Sequence, residues 1–219
     1  MTTTGILKPK SVAETHQLMK VALGEEKADL TVVNANVVNV YTGEILPDLG
    51  IAVKGKWIAY VGQNAKDAIG PQTEVIDAGG QTVIPGLIDG HTHIAWMFTA
   101  AEFLKYAISG GTTTVVTETI EPYPVCGYDG VIDFLASLRD QPIKILATAP
   151  AMVSISSAAR GIPAEDLAIL LQRADIMGLG ESYWQEVLKF PDVYLPALAQ
   201  TQPQRCSTTS RPRRQQLSR

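Results

Sequence analysis

The sequence predicts an α/β protein in which a small β domain precedes about four β/α units of a parallel sheet. Short runs rich in Val and Ile fill residues 29–84, and strand and helix patterns alternate over residues 85–201. No glycine-rich phosphate loop of the GxGxxG or GxxxxGK[ST] kind follows any predicted strand, which weakens a nucleotide-binding interpretation.

The N-terminal part combines a helix with a set of short strands. We expect residues 1–28 to form a helical segment that Gly24 ends. Its apolar residues at helical spacing are Val12, Leu18, Met19 and Ala22. From Asp29 the runs LTVVNANVVNV, GIAVKGKWIAYVG and TEVIDAGGQTVIPG are separated by Gly, Asn and Asp, as is typical of strands. Residues 29–84 are therefore predicted to form a small β-sandwich-like domain.

A repeating strand and helix rhythm occupies residues 85–201. GLIDGHTHI predicts a buried strand, and Thr99 with Glu102 predicts a capping box at the start of the next helix. The residues that we expect this helix to bury are Phe103, Leu104, Ala107 and Ile108. Three further pairs follow: TTTVVTETI with GVIDFLASLRD, IKILATAP with PAEDLAILLQRA, and IMGLGE with YWQEVLKF. Such units build a parallel sheet, either doubly wound or closed into a barrel.

Composition limits the partners and the compartment. The net charge of −4 argues against a nucleic-acid partner, because phosphate binding needs a clustered basic surface. No run of about 18 apolar residues occurs and the first residues lack a secretory pattern, so we expect no membrane partner and a cytoplasmic protein. Cys126 and Cys206 are interpreted as incidental thiols, and His16 as a surface or packing residue.

The last segment, residues 202–219, differs in composition from everything before it. It carries five arginines without one acidic or aromatic residue. We expect such a segment to be disordered, because it has too little apolar surface to offset the entropy of ordering. Two origins stay open: a basic tail for nucleic acid or membrane, and a non-native end such as translation in a shifted frame.

Two histidines and one glutamate are the candidate metal ligands. His91 and His93 stand two residues apart at the end of an apolar strand, so both imidazoles project from one face. Glu181 follows the fourth predicted strand, after Gly178 and Gly180, where the backbone can approach a ligand closely. Carboxyl ends of barrel strands meet at the active-site mouth. The alternative for Glu181 is a carboxylate favoured by a helix N-terminus.

With these residues in place, the chain resembles the amidohydrolase superfamily over roughly residues 17–200. IPGLIDGHTHI is similar to the signature that ends the first barrel strand of the family, and LGEEKADLTVVNANVVNVYTGEI is similar to the opening of its adenine deaminase branch. The resemblance implies a partial (β/α)8 TIM-type barrel. It also implies that His91, His93 and Glu181 bind a divalent metal, which would be Mn, Fe or Zn. In the complete enzyme this metal centre can be binuclear.

The resemblance also implies a reaction. A divalent cation lowers the pKa of water towards neutrality for attack on an amidine or amide carbon, and ammonia would leave from a heterocycle such as adenine. Catalytic residues are expected beyond residue 201, so we expect this chain to be truncated and inactive as given. We also expect that it can form a homo-oligomer. Alternatives are a cyclic-amide amidohydrolase, which usually needs a lysine that IMGLGE lacks, and a non-catalytic fragment.

Two stretches depart from the family pattern. HTHIAWM places Ala95, Trp96 and Met97 where the family has a polar stretch. TETIEP keeps Glu118 and Glu121 but has no histidine where the family has one. Both departures leave the proposed metal ligands in place and bear on the substrate.

Overall fold

The computed structural model describes residues 10–150 and 162–205. These residues divide into two compact units, one ending at Pro85 and one beginning at Gly86. Each unit is described by itself below. Within the described ranges, no helix combines the length and the apolar character needed to cross a membrane.

The first unit contains a helix, five strands and a short 3₁₀ helix. In chain order they are α1 (Val12–Ala22), β1 (Leu30–Asn39), β2 (Glu44–Lys54), β3 (Trp57–Gly62), the 3₁₀ helix (Gln63–Ala68), β4 (Glu74–Asp77) and β5 (Thr82–Val83). The strands form one sheet in the order β3-β2-β1-β4, with β5 also paired to β1. β1 is antiparallel to β2 and parallel to both β4 and β5.

Small side chains form the core of this first unit. Val21 of α1, Ala28, Ala52 and Ala68 are all buried and in mutual contact. Ser11 begins α1 with the reciprocal hydrogen bonds of a capping box to Glu14. The predicted apolar face of α1 is wrong in detail, because Val12 and Met19 are exposed and the helix is buried at Val21. Because Val21 of α1 and Ala52 of β2 belong to the same buried cluster, α1 forms a layer that covers part of the sheet.

The second unit alternates strands and helices. Its strands are β6 (Leu87–Thr92), β7 (Thr112–Thr117), β8 (Lys144–Ala149) and β9 (Ile176–Leu179). Its helices are α2 (Ile94–Met97), α3 (Ala100–Ser109), α4 (Pro122–Ser137), α5 (Ala164–Leu171), α6 (Trp184–Lys189) and α7 (Pro191–Arg205). All four strands are parallel and lie in the order β6-β7-β8-β9.

This strand order identifies the kind of parallel sheet. In a doubly wound fold the order reverses at a switch point, whereas in a β/α barrel each strand lies beside the next one in sequence. The order β6-β7-β8-β9 is sequential throughout. The unit is therefore part of a β/α barrel, as predicted. Its helices cover the sheet through two clusters of buried side chains, one centred on Val131 and Leu167 and one on Val115 and Ile94.

Several local expectations need correction. β6 is not a buried strand: it lies at the edge of the sheet, and Leu87 and Ile88 are 50% and 70% exposed. On α3, Thr99 accepts from the Glu102 backbone N–H, but the Glu102 carboxylate pairs with Lys105, so the predicted capping box is only half formed. Ile108, expected to be buried, is exposed. An edge strand has a neighbour on one side only, so an apolar sequence there need not be covered.

The secondary structure around the start of the predicted basic tail also differs from the prediction. No helix was predicted after residue 190, yet α7 runs from Pro191 through Arg205 and so includes residues 202–205. Residues 206–219 of the predicted tail, with Cys206, lie outside the described residues. His16 is exposed on α1, as expected for a surface residue, and Cys126 is an exposed free thiol.

Candidate metal centre

Backbone hydrogen bonds hold the carboxyl ends of the four parallel strands in register. The Glu118 N–H, just after β7, donates to the Thr92 carbonyl at the end of β6, at 2.8 Å. The Thr119 hydroxyl donates to the Thr148 carbonyl on β8, and the Gly180 N–H, just after β9, donates to the Ala149 carbonyl. Side chains that follow these strands are therefore held at one end of the sheet.

The three predicted ligands meet at this end. His91 Nε2 lies 3.2 Å from Glu181 Oε1, and His93 Nε2 lies 3.5 Å from the same oxygen. One donor atom from each of the three residues lies within 4.8 Å of the other two. Two ligands that each bind a tetrahedral zinc ion at about 2.1 Å lie about 3.4 Å apart. The two separations between imidazole and carboxylate match that spacing.

The meeting of these side chains requires a curved sheet. His91 is on β6 and Glu181 follows β9, which are the first and fourth strands in the sheet order. In a flat sheet the first and fourth strands would lie about 14 Å apart, three times the spacing of neighbours. The contact of 3.2 Å between His91 Nε2 and Glu181 Oε1 therefore depends on the concave curvature of a barrel wall.

Each histidine uses its other ring nitrogen on a second carboxylate. His91 Nδ1 faces Glu118 Oε1 at 3.5 Å, and His93 Nδ1 forms a short hydrogen bond with Glu121 Oε1. Glu118 is 2% exposed, whereas the His91 side chain is 52% exposed. Both Nδ1 atoms are thus paired to glutamates that follow β7, which leaves both Nε2 atoms directed at Glu181.

The charges around His93 affect the pKa of its imidazole. Burial disfavours the imidazolium, but the hydrogen bond and the charge of Glu121, with the charges of Glu181 and Glu118, outweigh it and raise the pKa of His93 above its ordinary value. Burial and the neighbouring Glu181 raise the pKa of Tyr183, whose hydroxyl donates to Glu181 Oε2 at 3.4 Å. The site therefore favours positive charge, as a cation-binding site does.

An aromatic side chain stands beside the histidines. Trp96, in α2, is 71% exposed, and its ring lies 5.2 Å from the ring of His93, edge to face. Met97 beside it is 81% exposed. The stretch that departs from the family pattern is thus placed next to the candidate site.

Sequence reasoning noticed Glu118 and Glu121 but gave them no role. The signal that could have identified them is their position directly after the second parallel strand, beside the strand that carries the histidines. Their pairing with the Nδ1 atoms depends on side-chain orientation, which spacing alone does not specify.

The donor atoms fit a divalent metal. Two imidazole nitrogens and one carboxylate oxygen are typical ligands of Zn and of neighbouring transition metals, and three protein ligands leave a position open for water or substrate. A curved parallel β/α sheet with this set at its carboxyl end defines the class: a barrel protein able to hold a metal where substrates bind. The chain belongs to the amidohydrolase family, whose family model matches residues 82–199.

Known relatives agree with this assignment. The chain is 39% identical over 184 residues to an adenine deaminase of Moorella thermoacetica, an alignment that covers 82% of this chain and 30% of that protein. It is 40% identical over 182 residues to an adenine deaminase of Ruegeria sp. (strain TM1040), covering 81% of this chain and 30% of that protein. The chain thus spans about 30% of the length of these relatives.

A solved structure supports the fold. The β-aspartyl dipeptidase of Fervidobacterium islandicum AW-1, crystallised with a β-Asp-Leu dipeptide, superposes with a TM-score of 0.53 at 18% sequence identity. The match covers 77% of this chain and 47% of that one. At this identity the similarity concerns the fold and not the substrate.

Proposed function

We propose that this chain supplies the metal-binding part of a hydrolase that removes ammonia from an aminopurine, with adenine as the first candidate. The observation that carries the proposal is the convergence of His91 Nε2, His93 Nε2 and Glu181 Oε1 at the carboxyl end of the sheet. The two relatives described above, each named adenine deaminase, support the choice of substrate.

The proposed roles follow from the geometry. His91, His93 and Glu181 would hold the metal, which when bound supplies Lewis acidity and makes water nucleophilic near neutral pH. The Tyr183 hydroxyl, which donates to Glu181 Oε2, orients that carboxylate so that Oε1 faces the imidazoles. Trp96 offers an exposed aromatic surface beside the site, suited to a planar ring.

Zinc binding tests the proposed metal site. We expect the purified chain, stripped of metal, to bind one zinc ion in competition with a chromophoric chelator. His91→Ala removes one of three ligands and should weaken binding at least tenfold. The matched control is His16→Ala, which removes an exposed histidine from α1 in the other compact unit. Equal zinc affinity of the parent and of His91→Ala would refute the metal site.

The substrate class is tested separately, with the zinc-loaded chain. Equilibrium dialysis should show retention of adenine by the parent and not by His91→Ala, whereas preferred retention of hydantoin would assign the chain to cyclic-amide hydrolases. We expect little release of ammonia from adenine by this chain alone, because the acid–base residue of the family pattern is expected beyond residue 201. Release that depends on His91 would overturn that expectation of inactivity and support the deaminase assignment directly.

A further inference from the structure

One buried glutamate contacts two of the three candidate ligands without belonging to the ligand set. Glu118 Oε1 lies 3.5 Å from His91 Nδ1, and Glu118 Oε2 accepts from the Glu181 backbone N–H at 3.4 Å. The side chain is only 2% exposed. A buried carboxylate is costly unless polar partners surround it, so its place between these two residues calls for a role.

The backbone of Glu118 is itself tied to the strand that carries His91. The Glu118 N–H donates to the Thr92 carbonyl, and the preceding Thr117 is completely buried. Glu118 therefore directly follows β7, and its backbone N–H is hydrogen-bonded to β6. Its side chain accepts from the backbone of Glu181, which follows β9.

Room for this carboxylate depends on a glycine. A Cβ atom at Gly180 would lie 2.2 Å from Glu118 Oε2 and 2.8 Å from Thr148 Oγ1. Real Cβ atoms essentially never approach another heavy atom to less than 3.0 Å, so a side chain at position 180 would displace the carboxylate. The absence of a side chain at Gly180 thus permits the contact between Glu118 and the Glu181 backbone.

We propose that Glu118 is a positioning residue for the metal. The Glu118 carboxylate faces His91 Nδ1 at 3.5 Å, which favours the proton on that nitrogen and so directs the Nε2 lone pair at the metal position. By accepting from the Glu181 N–H it sets the spacing between the ligands of β6 and β9. The inference rests on the proposed metal site. It assigns to Gly180 the task of leaving space for the Glu118 carboxylate.

Zinc affinity is the first test. Glu118→Gln keeps the size of the side chain, but one of its two terminal groups becomes an NH₂ donor, so it cannot accept from both N–H groups. Loss of such an orienting partner lowers metal affinity by about 10–100-fold, which is the expected effect. Gly180→Ala should weaken zinc binding by a similar factor, because the added Cβ atom would displace the Glu118 carboxylate. The control is Glu102→Gln, which removes the same charge from a 44% exposed side chain on α3.

The tautomer of His91 is the second test, and it requires neither metal nor turnover. The chain has three histidines, so long-range ¹H–¹⁵N spectra of the metal-free protein can be assigned with single His→Ala variants. In spectra recorded at alkaline pH, the tautomer of His91 should carry its proton on Nδ1. In Glu118→Gln the Nε2–H form should appear.

The outcomes separate this inference from the proposed function. A parent chain that binds no zinc, but keeps the Nδ1–H form of His91, refutes the metal site and with it the role of Glu118 toward a metal, while the orientation of the His91 ring by Glu118 stays supported. A parent that binds zinc through His91, with affinity unchanged in both Glu118→Gln and Gly180→Ala, refutes the positioning role. So does an Nε2–H form of His91 in the parent.

Discussion

Thr117→Val is a sharp test of how the strand ends hold the candidate site. The Thr117 side chain is completely buried at the end of β7, and its hydroxyl oxygen accepts from the Ile94 N–H at 3.2 Å. It also donates to the Glu118 carbonyl at 3.2 Å. Ile94 begins α2, directly after His93. The hydroxyl therefore connects the second strand to the segment that carries the ligands.

The expected cost follows from these contacts. Valine has nearly the shape of threonine, so the substitution opens no large cavity. It leaves the Ile94 N–H, in a residue that is 1% exposed, without an acceptor and without access to water. An unsatisfied buried donor costs about 1–3 kcal/mol. The bond to the adjacent carbonyl adds less, because its geometry is constrained. We therefore expect a loss of about 2 kcal/mol in the free energy of unfolding.

Urea denaturation followed by tryptophan fluorescence measures this loss, since Trp96 and Trp184 lie in the same compact unit. The control is Thr113→Val, the same substitution at an exposed position of β7, which should change stability by less than about 0.5 kcal/mol. If both variants lose equally little, the buried hydroxyl does not stabilise the strand ends and the reasoning fails. A zinc affinity that falls only in Thr117→Val would show that the loosening reaches His93.

Two further predictions concern stability in each unit. Leu167→Ala removes a completely buried side chain from the helix-covered core and should cost about 2–5 kcal/mol in urea unfolding, and a loss below 1 kcal/mol would contradict the packing described. Asp29 accepts from the Gly55 N–H and from Lys54, which lowers its pKa, so its contribution is present above the unfolded pKa of about 3.9 and is lost as pH falls further through the folded pKa. Asp29→Asn should therefore lower the thermal midpoint slightly at neutral pH and by progressively less as the pH falls below about 3.9, and a difference independent of pH would refute this linkage.

Pattern and spacing predicted the β/α rhythm well, because long periodic segments carry the strongest signals. They failed where tertiary packing decides. Pro196 and Pro203 argue against a helix, yet α7 includes both, and Ala197 packs against the core formed with Leu167. α4 begins at Pro122, ahead of the apolar pattern that predicted it, and is kinked at Gly127, which has φ of 64°.

The candidate site, too, could be predicted from the sequence only in part. His91, His93 and Glu181 could be chosen from their positions at strand ends, since parallel strands present those ends together. The pairing of Glu118 with His91 could not, because it depends on the space above Gly180 and on sheet curvature. Neither the space above Gly180 nor the curvature of the sheet can be deduced from the order of the residues.

The position of the candidate ligands at the ends of the first and fourth strands means that a bound metal would be a cross-link. An ion shared by His91, His93 and Glu181 would link the end of β6 to the end of β9, two strands that are not neighbours in the sheet order β6-β7-β8-β9. Ligand binding to the folded state alone adds about 2.7 kcal/mol of stability at a hundredfold excess over Kd. Removal of such an ion by a chelator would therefore lower the stability of the curved sheet by the amount that metal binding adds.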